Sequence, residues 1–105
     1  MQELTHYING AHVAGASGRF SNVYNPATGE VQAKVPLASA DEMAQAVEIA
    51  AAAQVAWGAV NPQRRARVMM KFIDLLNRDM DALAEALSRE HGKTLPDAQG
   101  DVQRG

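Results

Sequence analysis

The chain has 105 residues, enough for one ordinary domain at most. Ten basic against 12 acidic residues leave a formal charge of −2, which offers DNA, RNA and anionic membrane surfaces no electrostatic handle. Cysteine is absent, so disulfides, thiolate metal sites and a cysteine nucleophile are excluded within these residues.

Hydrophobic residues make up 47% of the chain, but 20 of them are alanine and aromatics reach only 5%. Alanine favours helix and lets helices approach closely, yet each one buries little area. A self-sufficient core built from this composition would be thin. The N-terminal "MQELTHYING" lacks the basic start and apolar stretch of a secretory signal. No apolar run approaches the roughly 20 residues that span a bilayer. The expectation is a soluble, cytoplasmic polypeptide.

Residues 6–38 read as a β region. In "HYINGAHVA", Asn9-Gly10 separates two short apolar stretches, the preferred pair for a two-residue turn in which both positions need positive φ. "GASG" (Gly15 to Gly18) reads as a flexible joint. "NPATGE" supplies a turn, after which Val31, Ala33, Val35 and Leu37 alternate with Gln32 and Lys34, the period of a half-buried strand. Pro36 marks the end of that strand or an exposed edge.

Residues 39–105 read as helical. Ser39 with Glu42 forms an S-x-x-E capping box, and Met43, Ala46, Ala50, Ala53 and Trp57 follow on one face. Gly58 is the expected end of this helix. Asn61 and Pro62 cap and open a second, with Met69, Phe72, Ile73 and Leu76 on one side and Arg64, Arg67 and Lys71 on the other. A third runs from about Asp79 to His91 with Met80, Leu83, Ala84 and Leu87 as its stripe. Short joints between helices predict antiparallel packing. The fold class is therefore α+β: N-terminal β-hairpins followed by three to four antiparallel-packed helices.

The segment "EHGKTLPDAQG" (Glu90 to Gly100) contains Gly-Lys-Thr, the close of a phosphate-binding loop. That loop requires G-x-x-x-x-G-K-[ST] between a strand and a helix. Its first glycine would fall at position 87, which is Leu87, in the apolar stripe of a helix. Gly92 is instead the left-handed terminator of the third helix, and Thr94 caps a fourth, with Asp97 three residues on and Pro96 in the first turn.

Other candidates have structural explanations. His6, His12 and His91 show no metal-ligand spacing. His6 and His12 could face each other across the hairpin, and solvent exposure is expected for both. Arg64, Arg65, Arg67 and Lys71 read as a solvated helix face. Asp79, Asp81 and Glu85 are accounted for by capping and a Glu85–Arg89 pair at i,i+4. Arg104, in "GDVQRG", has the least satisfying explanation as an ordinary surface arginine.

Together, "YINGAHV", "NPATGEVQAKVPLAS", "AAAAQVAW", "RRARVMMKF" and "EHGKTLPDAQGDVQRG" resemble the N-terminal portion of the aldehyde dehydrogenase superfamily, from about Tyr7 to Gly105. The last piece is most similar to the CoA-acylating methylmalonate-semialdehyde dehydrogenases. The resemblance implies the N-terminal part of an α/β NAD-binding domain in a three-domain enzyme, dimeric or tetrameric. In that family a cysteine thiolate attacks the aldehyde, hydride passes to NAD, and the thioester is released to CoA, here with loss of carbon dioxide to give propionyl-CoA.

Residues 1–105 are then expected to be an incomplete domain, inactive alone, with no bound cofactor. Its natural partner is the rest of the dehydrogenase chain, and by itself it is expected to self-associate. Among its residues only Arg104 acquires a role by resemblance: it is placed to meet the substrate carboxylate, which its planar fork can hold by two hydrogen bonds. Two alternatives stay open at this point. One is another NAD-dependent semialdehyde dehydrogenase, for example for succinate semialdehyde. The other is a non-catalytic helical interaction module.

Overall fold

The computed structural model describes residues 1–105 as five short strands followed by four helices. They fall into two compact units: residues 1–23 with 31–60, and residues 24–30 with 61–105.

In the first unit, β2 (His6–Ile8) and β3 (Ala11–Val13) form the antiparallel hairpin, closed by Asn9 at φ 54° and Gly10 at φ 74°. The register opposes Tyr7 to His12 and His6 to Val13, so the two histidines do not face each other. A one-residue offset sends side chains to opposite faces of a ribbon. His12 stays exposed, its ring meeting that of Tyr7 edge-on at 5.2 Å, while His6 is half-buried against expectation.

A second sheet has the order β1 (Gln2–Glu3), β5 (Val31–Pro36), β4 (Phe20–Tyr24). β1, unmarked in the sequence, pairs in parallel with β5 through Gln2↔Ala33 and Glu3↔Lys34. β5 is the middle strand, paired along both edges, and its residues are half-buried or buried on both faces. Gln32 and Lys34 are as half-buried as Val31 and Val35, only Ala33 and Pro36 are buried, and Leu37 lies exposed beyond the strand. Pro36 does end the strand, but in a buried position.

The expected flexible joint, residues 15–18, is one of the most heavily tied loops. The Ala16 N–H donates to Glu42 Oε1 at 2.6 Å, the Ser17 hydroxyl donates to the Leu37 carbonyl, and the Arg19 N–H donates to Ser17 Oγ. A Cβ on Gly15 would lie 2.7 Å from Pro36 Cβ, so this glycine serves close approach.

α1 (Ala40–Ala59) opens with the anticipated capping box. Ser39 Oγ accepts from the Glu42 N–H at 3.1 Å, and the Ser39 N–H donates to Glu42 Oε2 at 2.7 Å. The Ser39 and Ala16 N–H groups hold the Glu42 carboxyl below its usual range. The helix runs straight through Gly58 and stops at Val60. Val60 is already extended at ψ 139°, and Asn61, restricted by the ring of Pro62 that follows it, is extended too at ψ 133°.

In the second unit, residues 24–30 form a turn closed by Asn25 N–H to the Glu30 carbonyl at 2.8 Å. α2 (Pro62–Arg78) is capped by Asn61 Oδ1, which accepts from the Gln63 N–H at 2.8 Å. α3 (Met80–His91) follows after a single residue, Asp79. Asp79 was expected within the helix as an N-terminal acid. It sits instead between the helices, makes no side-chain cap, and takes a two-point hydrogen bond from Arg78 at 2.9 Å.

α3 packs chiefly on α4 (Leu95–Arg104). Ala84 on α3 and Ala98 on α4 are the two most buried of the chain's hydrophobic residues. Methyl-sized side chains let the helices come close, as the composition suggested.

No large side chain is fully buried, and α1 and α2 contain no buried residue. On α2, Val68, Met69, Met70, Phe72 and Ile73 each keep half or more of their surface in solvent. No single helix is long and apolar enough to cross a membrane. Apolar exposure on this scale favours association, so light scattering on the chain is expected to show species larger than one copy. A compact monomer with sharp thermal unfolding would contradict that. In a separate test, Gly92→Ala should destabilise the chain by at least about 1–2 kcal/mol, the cost of a left-handed non-glycine residue before its Cβ meets Pro26, read by urea titration of the helix signal.

Candidate functional site

Arg104 lies in the last turn of α4, and its surroundings were not legible in the sequence. The geometry starts from Gly92. At φ 83° it ends α3, with its N–H donating to the Ser88 carbonyl at 2.8 Å. A Cβ here would also lie 2.9 Å from Pro26 Cγ, so glycine is required by both conformation and space. Lys93 follows, its carbonyl accepting from the Ser88 hydroxyl at 2.7 Å. Thr94 then caps α4, Thr94 Oγ1 accepting from the Asp97 N–H at 3.3 Å.

This short joint sets the Lys93 side chain along α4, where its ammonium donates to Asp101 Oδ2. The other oxygen, Oδ1, accepts from the Arg104 guanidinium. Asp101 therefore bridges two cations. Lys93 and Asp101 are mostly shielded, with side chains 24% and 33% exposed, whereas Arg104 is 73% exposed. The guanidinium lies over Gly100: a Cβ there would come within 3.4 Å of Arg104 Nη1. The Lys93 ammonium first, and the Arg104 guanidinium second, hold the Asp101 carboxyl below its usual range.

The three residues make a hydrogen-bonded cluster with one formal positive charge, Arg104 forming its exposed end. Arg104, singled out from sequence, is at its surface. Lys93 and Asp101 were missed as site residues. Their spacing of eight has no helical meaning, because a helix boundary lies between them.

The Gly-Lys-Thr lysine is thus engaged by a carboxylate, and its glycine is a helix terminator rather than a strand-to-helix turn. These residues do not fit a dinucleotide phosphate. No three His, Asp or Glu side chains converge as metal ligands.

The other candidates resolve differently. Glu85 and Arg89 pair at 2.6 Å as anticipated, and Asp81 Oδ1 accepts from Gln99 Nε2 at 3.4 Å. Arg64, Arg67 and Lys71 are exposed, while Arg65 is half-buried. In the first unit, His6 lines a groove of about 330 Å³ with Ile8, Val13, Glu42 and Ile49. Its Nε2 is buried without a hydrogen bond, 4.0 Å from Glu42 Oε1.

Residues 12–105 match the family described as "Aldehyde dehydrogenase family". A solved structure from Sinorhizobium meliloti 1021, named for methylmalonate-semialdehyde dehydrogenase and complexed with NAD, is 64% identical. Its TM-score is 0.96 over 99% of this chain and 21% of that one. A methylmalonate-semialdehyde dehydrogenase from Oceanimonas doudoroffii is 40% identical, with a TM-score of 0.94 over 99% of this chain and 21% of its own. A malonate-semialdehyde dehydrogenase from Pseudomonas aeruginosa is 44% identical over all 105 residues, which span 21% of its length. The chain thus spans about a fifth of the relatives it matches.

The lowered pKa of Asp101 gives a signed expectation. The folded state prefers the carboxylate ionised, so this contribution is complete above the ordinary carboxylate range and lost as pH falls through the depressed value. The stability gap between the chain and its Asp101→Asn variant should be widest near pH 7 and narrow as pH falls below the ordinary carboxylate range. Urea midpoints across that range measure it, and a gap independent of pH would contradict the assignment.

Proposed function

Because the chain belongs to the aldehyde dehydrogenase family, we propose that it forms the N-terminal part of a CoA-acylating semialdehyde dehydrogenase acting on methylmalonate semialdehyde. The observation that supports this reading best is the match along essentially the whole chain to proteins named for methylmalonate and malonate semialdehyde. The two substrates differ by one methyl on the carbon between aldehyde and carboxylate, and each offers an arginine the same carboxylate group. The name of the Pseudomonas aeruginosa relative favours malonate semialdehyde as a second substrate.

In this reading the complete protein is a cytoplasmic homo-oligomer, a dimer or tetramer, that oxidises the aldehyde with NAD and transfers the acyl group to CoA. Carbon dioxide leaves from the carboxylate, giving propionyl-CoA from the methylated substrate. Arg104 contributes recognition: a guanidinium with one hydrogen bond to Asp101 keeps further N–H groups for a carboxylate. The nucleophile comes from outside these residues, because no cysteine is present. The 105-residue chain alone therefore forms no NADH.

Steady-state assays of the full-length protein test the reading. NADH formation from methylmalonate semialdehyde is expected to require CoA and to yield propionyl-CoA. Preference for succinate semialdehyde, or release of a free acid without CoA, would contradict it. So would turnover by the 105-residue chain alone.

A further inference from the structure

An arginine that must capture a carboxylate faces a conflict. A carboxylate neighbour is the natural way to hold its guanidinium still, yet that neighbour also cancels the charge that attracts the substrate. In a one-to-one pair, orientation would come at the expense of attraction. Around Arg104 the pairing is not one-to-one. Asp101 offers Oδ1 to Arg104 and Oδ2 to Lys93, so its single negative charge is shared.

We propose that Lys93 is a specificity-determining positioning residue: by occupying one oxygen of Asp101, it lets Asp101 orient Arg104 without neutralising it. The inference rests on the reading that Arg104 meets the substrate carboxylate. Three features on the molecule support it. The Lys93 side chain is the most shielded of the three and Arg104 the most exposed, so the order runs from anchor to contact. Lys93 is held by its own backbone, between the left-handed Gly92 and the Thr94 cap and with Ser88 on its carbonyl, so its stem leaves from a fixed point. Asp101 is the only hydrogen-bonding partner that Arg104 has, which leaves its other N–H groups to a ligand.

This accounting predicts an unusual order of variants. In Lys93→Met, Asp101 is left to Arg104 alone and the pair becomes neutral. In Lys93→Met/Asp101→Asn, Arg104 is unanchored but charged again. The double variant should therefore recognise a carboxylate better than the single one. If Lys93 merely stabilised the α3–α4 joint, the double variant would be equal or worse.

The readout is the ratio of kcat/KM for malonate semialdehyde to kcat/KM for propanal, which has the same carbon count and no carboxylate, measured on the full-length enzyme. General damage scales both rates and leaves the ratio alone. Lys93→Met is expected to lower the ratio about 10-fold, the scale of one charge-assisted contact, and Lys93→Met/Asp101→Asn to recover at least half of that loss on a logarithmic scale. Arg104→Leu serves as the reference and should lower the ratio at least as far as Lys93→Met. If Arg104→Leu leaves the ratio unmoved, the recognition role of Arg104 fails and the inference fails with it. If Arg104→Leu collapses the ratio while Lys93→Met does not, or the double variant falls below the single, only the role of Lys93 is overturned.

Discussion

The second unit depends on the left-handed residue at Gly92. An α-helix cannot pass through a residue at φ 83°, so α3 ends there, and Lys93 alone separates it from Thr94, which caps α4. Glycine is the only residue without a Cβ to strike Pro26 at that point. Everything distinctive nearby follows from this reversal. It sets α3 against α4, with Ala84 and Ala98 buried on the two helices, lays the Lys93 side chain along α4, and leaves Asp101 between two cations.

Alanine then sets how much such packing can contribute. Two buried methyl groups allow close approach but remove little apolar area from water, and Ala33 is the only other residue among the buried hydrophobic ones. The larger apolar side chains, Met43, Val55 and Trp57 on α1 and the Val68–Ile73 group on α2, stay exposed. Stability within each unit therefore leans on backbone and capping hydrogen bonds. Glu42 illustrates this: one carboxylate closes the α1 capping box through Oε2 and ties the Ala16 loop through Oε1. A glycine-rich stretch that looked slack is fixed by a helix cap far along the chain.

Much of the local structure was legible in residues that act on their immediate neighbours. Asn9-Gly10, Ser39 with Glu42, Asn61-Pro62, Gly92 and Thr94 each specify a turn or a helix end through bonds spanning a few residues, and each appears where it was read. The misreadings share a different character. Gly58 looked like a terminator, but the helix runs on to Ala59 and the chain turns extended over Val60 and Asn61, ahead of Pro62. β1 carries no pattern of its own and exists only because β5 offers it a parallel edge. His6 was expected in solvent, and the groove beside α1 shelters it.

The sequence by itself determined most of the helix caps, the hairpin turn and the family, and through the family resemblance it singled out Arg104. All of these follow from short-range bonding rules or from residue order. Only the tertiary structure decided that Lys93 and Asp101 belong with Arg104. A lysine before a helix cap and an aspartate in that helix have no fixed separation in sequence terms. Their meeting depends on the direction in which Gly92 turns the chain, and that direction exists only once α3 and α4 are packed.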